Sequence, residues 1–323
     1  MARAEVGDDV YGEDPTINRL QEMASELLNK EAALFVPTGT MANQIAVRLH
    51  TQPGQEVIVE ELSHIYNLEM AAMACISGVQ AHPVRAEDAA LTWSEIEPAI
   101  RPNESHFAKT GLIAIENSQN LAGGTVMGLD RTYDICDRAH QLGIPVHLDG
   151  ARIFNAAVAL GCGAADIARP FDSVMFCVSK GLGAPVGSLI LGPRSFIDRA
   201  VFVRRMMGGG MRQAGVLAAA GIVALEKMVA RLPEDHANAR MIAERISSIP
   251  GIGIDPERVR TNIVVFDVSG TKIGSPEVIE RLKQKGVLAN NIGQYQIRLV
   301  THKDVNRSDC EIAVSILEQV VAR

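Results

Sequence analysis

Apolar and polar positions alternate along this chain in two rhythms. Short apolar runs rich in β-branched residues recur at 32–36, 56–59, 112–115, 145–148, 173–178 and 188–191, and each predicts a strand buried on both faces. Between them lie amphipathic stretches of helical length. In 15–29 the apolar residues Ile17, Leu20, Met23 and Leu27 share a face, and Pro15 suits the first turn. The stretch 130–142 is closed by Gly143, a C-cap residue. Such alternation predicts an α/β fold, a mostly parallel sheet flanked by helices.

After Ser188 the rhythm changes. Residues 212–232, rich in Ala, Gly and Met, read as a buried helix, and Pro233 follows. A second α/β set comes next: helix 235–249, strand 262–268, helix 276–286, strand 295–301 and helix 309–321. The expected organisation is a large domain, 1–232, and a smaller C-terminal α/β domain, 233–323.

Composition narrows the class. With 323 residues, 47% apolar and 21% charged, the chain can bury a sizeable core. A formal net charge of −7 speaks against nucleic-acid and anionic-membrane partners, which require a basic patch. The five cysteines (Cys75, Cys136, Cys162, Cys177, Cys310) show no metal-ligand spacing, so no metal is expected and a reducing compartment is. The acidic start has no signal-peptide pattern, and the apolar stretch around 215–225 is too short and too glycine-broken to span a bilayer. The expected location is the cytoplasm.

Candidate chemistry falls at strand ends. The run His147-Leu148-Asp149-Gly150-Ala151-Arg152 carries an Asp off an apolar strand and an Arg into the next helix. Ligands bind at the carboxyl ends of parallel strands. An Asp there can pair with the ring nitrogen of pyridoxal phosphate (PLP) and sustain its electron-sink character. A plain helix N-cap is the alternative. One βα unit later, a buried strand delivers Ser179-Lys180-Gly181-Leu182-Gly183, a lysine beside glycines suited to a Schiff base. Alone it would read as a solvated loop lysine; paired with Asp149 it reads as the PLP lysine.

Thr38-Gly39-Thr40 joins a strand to a helix, and that helix N-terminus is fit for the cofactor phosphate, with a simple Thr cap as the alternative. His64 follows the strand 56–59, where an imidazole could stack on the cofactor ring, although a lone His is more often structural. Arg298 lies inside an apolar strand and needs an anion, either a substrate carboxylate or a structural ion-pair partner.

Taken together, GDDVYGEDPTINRL, PTGTMANQIA, HLDGARIFNAAVA, SKGLGAPVGS, MMGGGMRQAG and RLVTH occur in the order of the L-threonine aldolase family (low-specificity and L-allo-threonine aldolases), which the chain resembles along nearly its whole length. The resemblance implies the PLP-dependent transferase-like fold of aspartate aminotransferase, fold type I. It implies an aldehyde-lyase that cleaves L-threonine or L-allo-threonine, β-hydroxy-α-amino acids, into glycine and acetaldehyde. It implies a homo-oligomer, a dimer of dimers with shared active sites. By this resemblance Lys180 holds the cofactor, Asp149 pairs with its nitrogen, His64 stacks on its ring and Gly39 and Thr40 bind its phosphate. Arg152 and Arg298 lie near cofactor and substrate carboxylate, Arg212 reaches a neighbouring subunit's phosphate, and Tyr11 approaches a neighbouring site.

Two positions depart from the family pattern. Gln119 replaces a histidine credited with work near the β-hydroxyl, which leaves a water, the cofactor phosphate or His64 to take that proton. Only residues 1–6 precede GDDVYGEDP, where relatives carry an Arg-Ser-Asp-Thr segment that helps hold the substrate carboxylate, so weaker substrate binding is expected. A β-elimination or transamination on the same scaffold, or a catalytically silent relative, remains as the other reading.

Overall fold

The computed structural model describes residues 1–102 and 104–322. The chain divides into two compact units, Met1–Ser118 with Val126–Val229, and Gln119–Thr125 with Ala230–Arg323.

The first unit is built on seven strands: β1 (Ala32–Val36), β2 (Glu56–Glu60), β3 (Gln80–Val84), β4 (Thr110–Glu116), β5 (Val146–Asp149), β6 (Ser173–Cys177) and β7 (Ser188–Gly192). Their order is β1-β7-β6-β5-β4-β2-β3. Only β7 runs against its neighbours. Every residue of β1, β2, β4, β5, β6 and β7 is buried, as continuous apolar runs require of strands covered on both faces. The strand β3 escapes the apolar-run criterion. It is an edge strand carrying Gln80, His82 and Pro83, which such an edge tolerates.

Nine α-helices complete this unit among the described residues: α1 (Pro15–Leu28), α2 (Gly39–His50), α3 (His64–Asn67), α4 (Trp93–Ile96), α5 (Leu129–Gln141), α6 (Ile153–Leu160), α7 (Ala164–Ala168), α8 (Arg194–Met206) and α9 (Gly215–Val223). In α1 the buried stripe is Ile17, Leu20, Met23, Ala24 and Leu28; Leu27, expected on it, is exposed. The start of α1 is held by Asp14, whose Oδ1 accepts from the amides of Thr16 and Ile17. Its Oδ2 accepts from the Gly215 amide, so one buried carboxylate caps two helices.

The stretch 212–232 is not one buried helix. In α9 only Gly215, Ala218 and Gly221 are buried, while Val216 and Val223 are 40% and 48% exposed. Its small residues serve close approach to α1: a Cβ at Gly221 would lie 2.8 Å from Leu20 Cδ2. A wide turn, Ala224–Met228, and a tight one, Val229–Arg231, follow.

The second unit holds α10 (Leu232–Ile246), β8 (Ile263–Asp267), α11 (Ser275–Gln284), β9 (Asn290–Asn291), β10 (Gln296–Val300) and α12 (Arg307–Val321). Pro233 lies in the first turn of α10, where its missing N–H costs nothing, rather than ending a helix. An antiparallel sheet ordered β8-β10-β9 packs with the helices around Phe266, Ile242, Val278, Leu282 and Val314. No helix among the described residues is long and apolar enough to cross a membrane.

The helix α2 is tied to the sheet by a chain of buried polar contacts as well as by apolar packing. His50 Nε2 lies 2.8 Å from Ser173 Oγ, which lies 2.8 Å from His147 Nδ1; His147 Nε2 lies 3.1 Å from Asn43 Oδ1. The Asn43 amide nitrogen donates to Asp149 Oδ2. A carboxylate only accepts, so that end of Asn43 must be the NH₂ and Oδ1 must accept from His147 Nε2–H. His147 Nδ1 then accepts from the Ser173 hydroxyl, whose oxygen accepts from His50 Nε2–H. Both rings are neutral. Burial pushes His147 down to about 3 and His50 down to about 4.

Two outcomes follow from these contacts. Asp14→Ala should lower the unfolding free energy by about 2 kcal/mol, read from the urea midpoint, whereas Asp14→Asn should retain most of the capping. The histidines bind protons in the unfolded chain as pH falls through 6.5, yet in the fold only near 4 and 3. Their contribution to stability is therefore full above 6.5 and is lost progressively below it. Thermal unfolding between pH 7 and pH 5 should show this loss, and His147→Gln should flatten it.

Candidate active site

The carboxyl ends of β1, β2, β4, β5 and β6 lie along one edge of the sheet, and each contributes to a single cluster. Asp149 is the last residue of β5 and pairs in register with Met175 of β6, the strand that leads to Lys180. Asp149 is 3% exposed. Its Oδ1 accepts from the Ala151 amide and its Oδ2 from Asn43, the acceptor-only pattern of a carboxylate. No Lys, Arg or His forms an ion pair with it among the described residues.

His64 follows β2 and opens α3. Its backbone amide donates to Glu116 Oε2, at the end of β4, at 2.7 Å. Its Nδ1 lies 2.9 Å from Glu69 Oε1. Glu69 is 2% exposed and also accepts from Asn43 Nδ2 through Oε1 and from Gln44 Nε2 through Oε2. The hydrogen bond to Glu69 raises the His64 pKa above its ordinary value, helped by the Asp149 charge and opposed by burial and Lys180. Donor atoms of His64, Glu69 and Asp149 lie within 4.8 Å of one another, a spacing that could hold a cation. Asn43 Nδ2, at 2.8 Å from each carboxylate, already bridges them by hydrogen bonds.

Beyond β1, Thr38 caps α2 through the Met41 amide, and Gly39 and Thr40 form the first turn. Space is tight at Gly39. A Cβ there would come 3.0 Å from Met175 Cε and 3.1 Å from Cys177 Sγ. Arg152 precedes α6 at the end of β5, and its charge reaches the buried Cys177 thiol.

Arg212 and Tyr11 form a separate, exposed pair. Arg212 Nη1 is 2.7 Å from Asp8 Oδ2, and the guanidinium stands over the Tyr11 ring at 5.9 Å. The backbone joins the same two segments, since the Asp9 amide donates to the Arg212 carbonyl. Asp9 in turn pairs with the buried Arg204 at 2.8 Å.

Arg298 and Gln119 belong to the second unit. Arg298 Nη1 donates to Asn120 Oδ1 at 2.8 Å, and burial lowers the pKa of its guanidinium. Among the described residues no carboxylate pairs with it, so the structural ion pair considered from sequence does not form. Gln119 is buried, and its backbone bridges to Thr125 across a turn in which Gly123 and Gly124 have φ of 73° and 77°.

Sequence reasoning missed Asn43, Glu69 and His147. Asn43 and His147 lie inside the quoted PTGTMANQIA and HLDGAR segments and could have been singled out as polar residues on buried elements. Glu69 offers only the signal of a carboxylate beside the apolar run from Met70. As a set, the cluster suits a flat, cationic, phosphate-bearing heterocycle: a carboxylate for its charge, an imidazole for its face, a helix N-terminus for its anion and a lysine for covalent attachment.

Known proteins place the chain in the same chemistry. The model of the Beta-eliminating lyase family matches residues 1–270. The low specificity L-threonine aldolase of Escherichia coli K12 is 44% identical over 308 residues, covering 95% of this chain and 90% of that one. Low-specificity L-threonine aldolase 1 of Arabidopsis thaliana is 40% identical over 326 residues, covering 99% and 91%. Among solved structures, the threonine aldolase of Leishmania major superposes with a TM-score of 0.82 at 22% identity, covering 99% of this chain and 92% of that one. The serine palmitoyltransferase of Sphingomonas wittichii does so with 0.78 at 14% identity, covering 98% and 79%, a likeness of fold alone. Matched over most of its length by the family model, and over nearly all of it by relatives at 40% and 44% identity, this chain belongs to the Beta-eliminating lyase family, among its low-specificity L-threonine aldolases.

Proposed function

We propose that this chain is a PLP-dependent aldehyde-lyase that cleaves L-threonine and L-allo-threonine to glycine and acetaldehyde. The observation that carries the reaction is the 44% identity to a low specificity L-threonine aldolase across 95% of the chain. The cofactor fits the residues present. Asp149 is a buried carboxylate whose hydrogen-bond partners are neutral, and it lies one strand from the segment bearing Lys180.

PLP, when bound, supplies the electron sink for the pair left on Cα as the Cα–Cβ bond breaks. Lys180 is the point of covalent attachment, and Asp149 holds the positive charge of the ring nitrogen. His64 would supply an imidazole to the ring face, and Gly39 and Thr40 would offer the amides of a helix N-terminus to the phosphate. Arg152 and Arg298 are the guanidinium groups assigned to the substrate carboxylate. Gln119 cannot act as a base, and of the groups that remain His64 is assigned the β-hydroxyl proton, because the hydrogen bond from its Nδ1 to Glu69 raises its basicity.

Arg212 and Tyr11 serve the site of a second copy in a homo-oligomer, a dimer of dimers. The support is that the pair projects outward and that Phe202 and Met206 of α8 are exposed apolar residues. A cytoplasmic location accords with five cysteines that are all free.

Mass spectrometry after incubation with L-threonine should find glycine and acetaldehyde; 2-oxobutanoate instead would mark β-elimination and overturn the reading. Borohydride treatment followed by peptide mapping should find the cofactor on Lys180, and Lys180→Ala should lose the visible absorption band and at least about a thousandfold of kcat. Arg298→Ala should raise KM for threonine roughly ten- to a hundredfold, the value of one hydrogen bond to a charged group, with cofactor affinity little changed.

A further inference from the structure

We infer that Glu69 is a positioning residue for His64, its buried carboxylate holding the ring by Nδ1–H so that Nε2 is the nitrogen left to take up a proton. The inference rests on the proposed role of His64 and deepens it.

Burying a carboxylate is costly unless donors surround it. Glu69 has three: His64 Nδ1 at 2.9 Å, Asn43 Nδ2 at 2.8 Å and Gln44 Nε2 at 2.7 Å. No Lys or Arg pairs with it among the described residues, so the only cation that can neutralise it directly is the imidazolium of His64. The two amides come from consecutive buried residues of α2, which fixes the carboxylate in place and leaves it one direction in which to act. Because Asn43 also donates to Asp149, the group that orients His64 and the group assigned to the ring nitrogen share a single brace.

The tautomer follows from chemistry. A carboxylate cannot donate, so Nδ1 carries the hydrogen and Nε2 of the neutral ring carries the lone pair. When His64 takes up a proton, Glu69 faces the resulting charge. The other charged groups around the ring are Asp149, which also favours its protonation, Lys180, which opposes it, and Glu116, which holds the His64 backbone amide. A histidine so held is a stronger base than a free one, and it is in its basic form only above its raised pKa.

The test uses full-length holoenzyme with isotopically labelled histidine, read by NMR alongside steady-state kinetics. In the wild-type protein His64 should carry its hydrogen on Nδ1 and titrate above 6.5. Glu69→Gln should move that midpoint down and carry the acid limb of the kcat profile down with it. It should lower limiting kcat about ten- to a hundredfold while KM stays within about threefold. An Nε2–H tautomer, or a wild-type midpoint at or below the ordinary histidine range, would overturn the inference even if no variant folds. So would a Glu69→Gln protein that changes KM or cofactor retention but neither the His64 titration nor the pH limb. Should His64→Asn leave kcat intact, the proposed role of His64 fails; should His64→Asn be impaired while Glu69→Gln behaves as wild type, only the inference about Glu69 fails.

Discussion

Asn43 holds two buried carboxylates together through one nitrogen, 2.8 Å from Glu69 and 2.8 Å from Asp149. In a medium of low dielectric, like charges so close repel strongly unless donors lie between them. An amide NH₂ has two hydrogens and can satisfy both. Its use at this position dictates much else. The Asn43 oxygen must face His147, which must carry a hydrogen on Nε2; because burial also keeps His147 neutral, Ser173 and His50 follow in a fixed donor order. The rigidity of that chain gives Asp149 and, through Glu69, His64 their geometry.

The sheet supplies the positions on which this network works. With every strand but β7 pointing the same way, the ends of β1, β2, β4, β5 and β6 bring residues far apart in sequence to one edge. Packing at that edge is tight at Gly39, where a Cβ would press on Met175 and Cys177, and glycine lets the helix N-terminus assigned to the phosphate lie close against β6. Nothing in the local conformation of Thr38-Gly39-Thr40 calls for glycine; the closeness of Met175 and Cys177 favours it.

The segment GDDVYGEDP looks in isolation like a solvated acidic loop, yet each Asp in it has a structural employment. Asp8 holds Arg212, Asp9 meets the buried Arg204, and Asp14 caps α1 and α9 together. That arrangement joins the start of the chain to the glycine-rich MMGGGMRQAG segment and presents Arg212 and Tyr11 side by side at the surface.

Much of this protein was legible in the chain alone because strong local chemistry marks it. Short apolar runs rich in β-branched residues favour strands buried on both faces, so six of the seven strands of the main sheet were readable, and Asp149 and Lys180 stood out as polar residues placed after such runs. The edge strand β3 was not readable, because an edge needs no apolar run. The exposed side of α9 was not readable either, since alanine and glycine serve burial and close approach alike. Tertiary structure alone decided that Glu69 faces His64, that Asn43 spans two carboxylates and that Arg298 meets an amide rather than an acid. A residue's type states which hydrogen bonds it can make, but its partners here come from other strands and helices, and only the packed sheet brings them within reach.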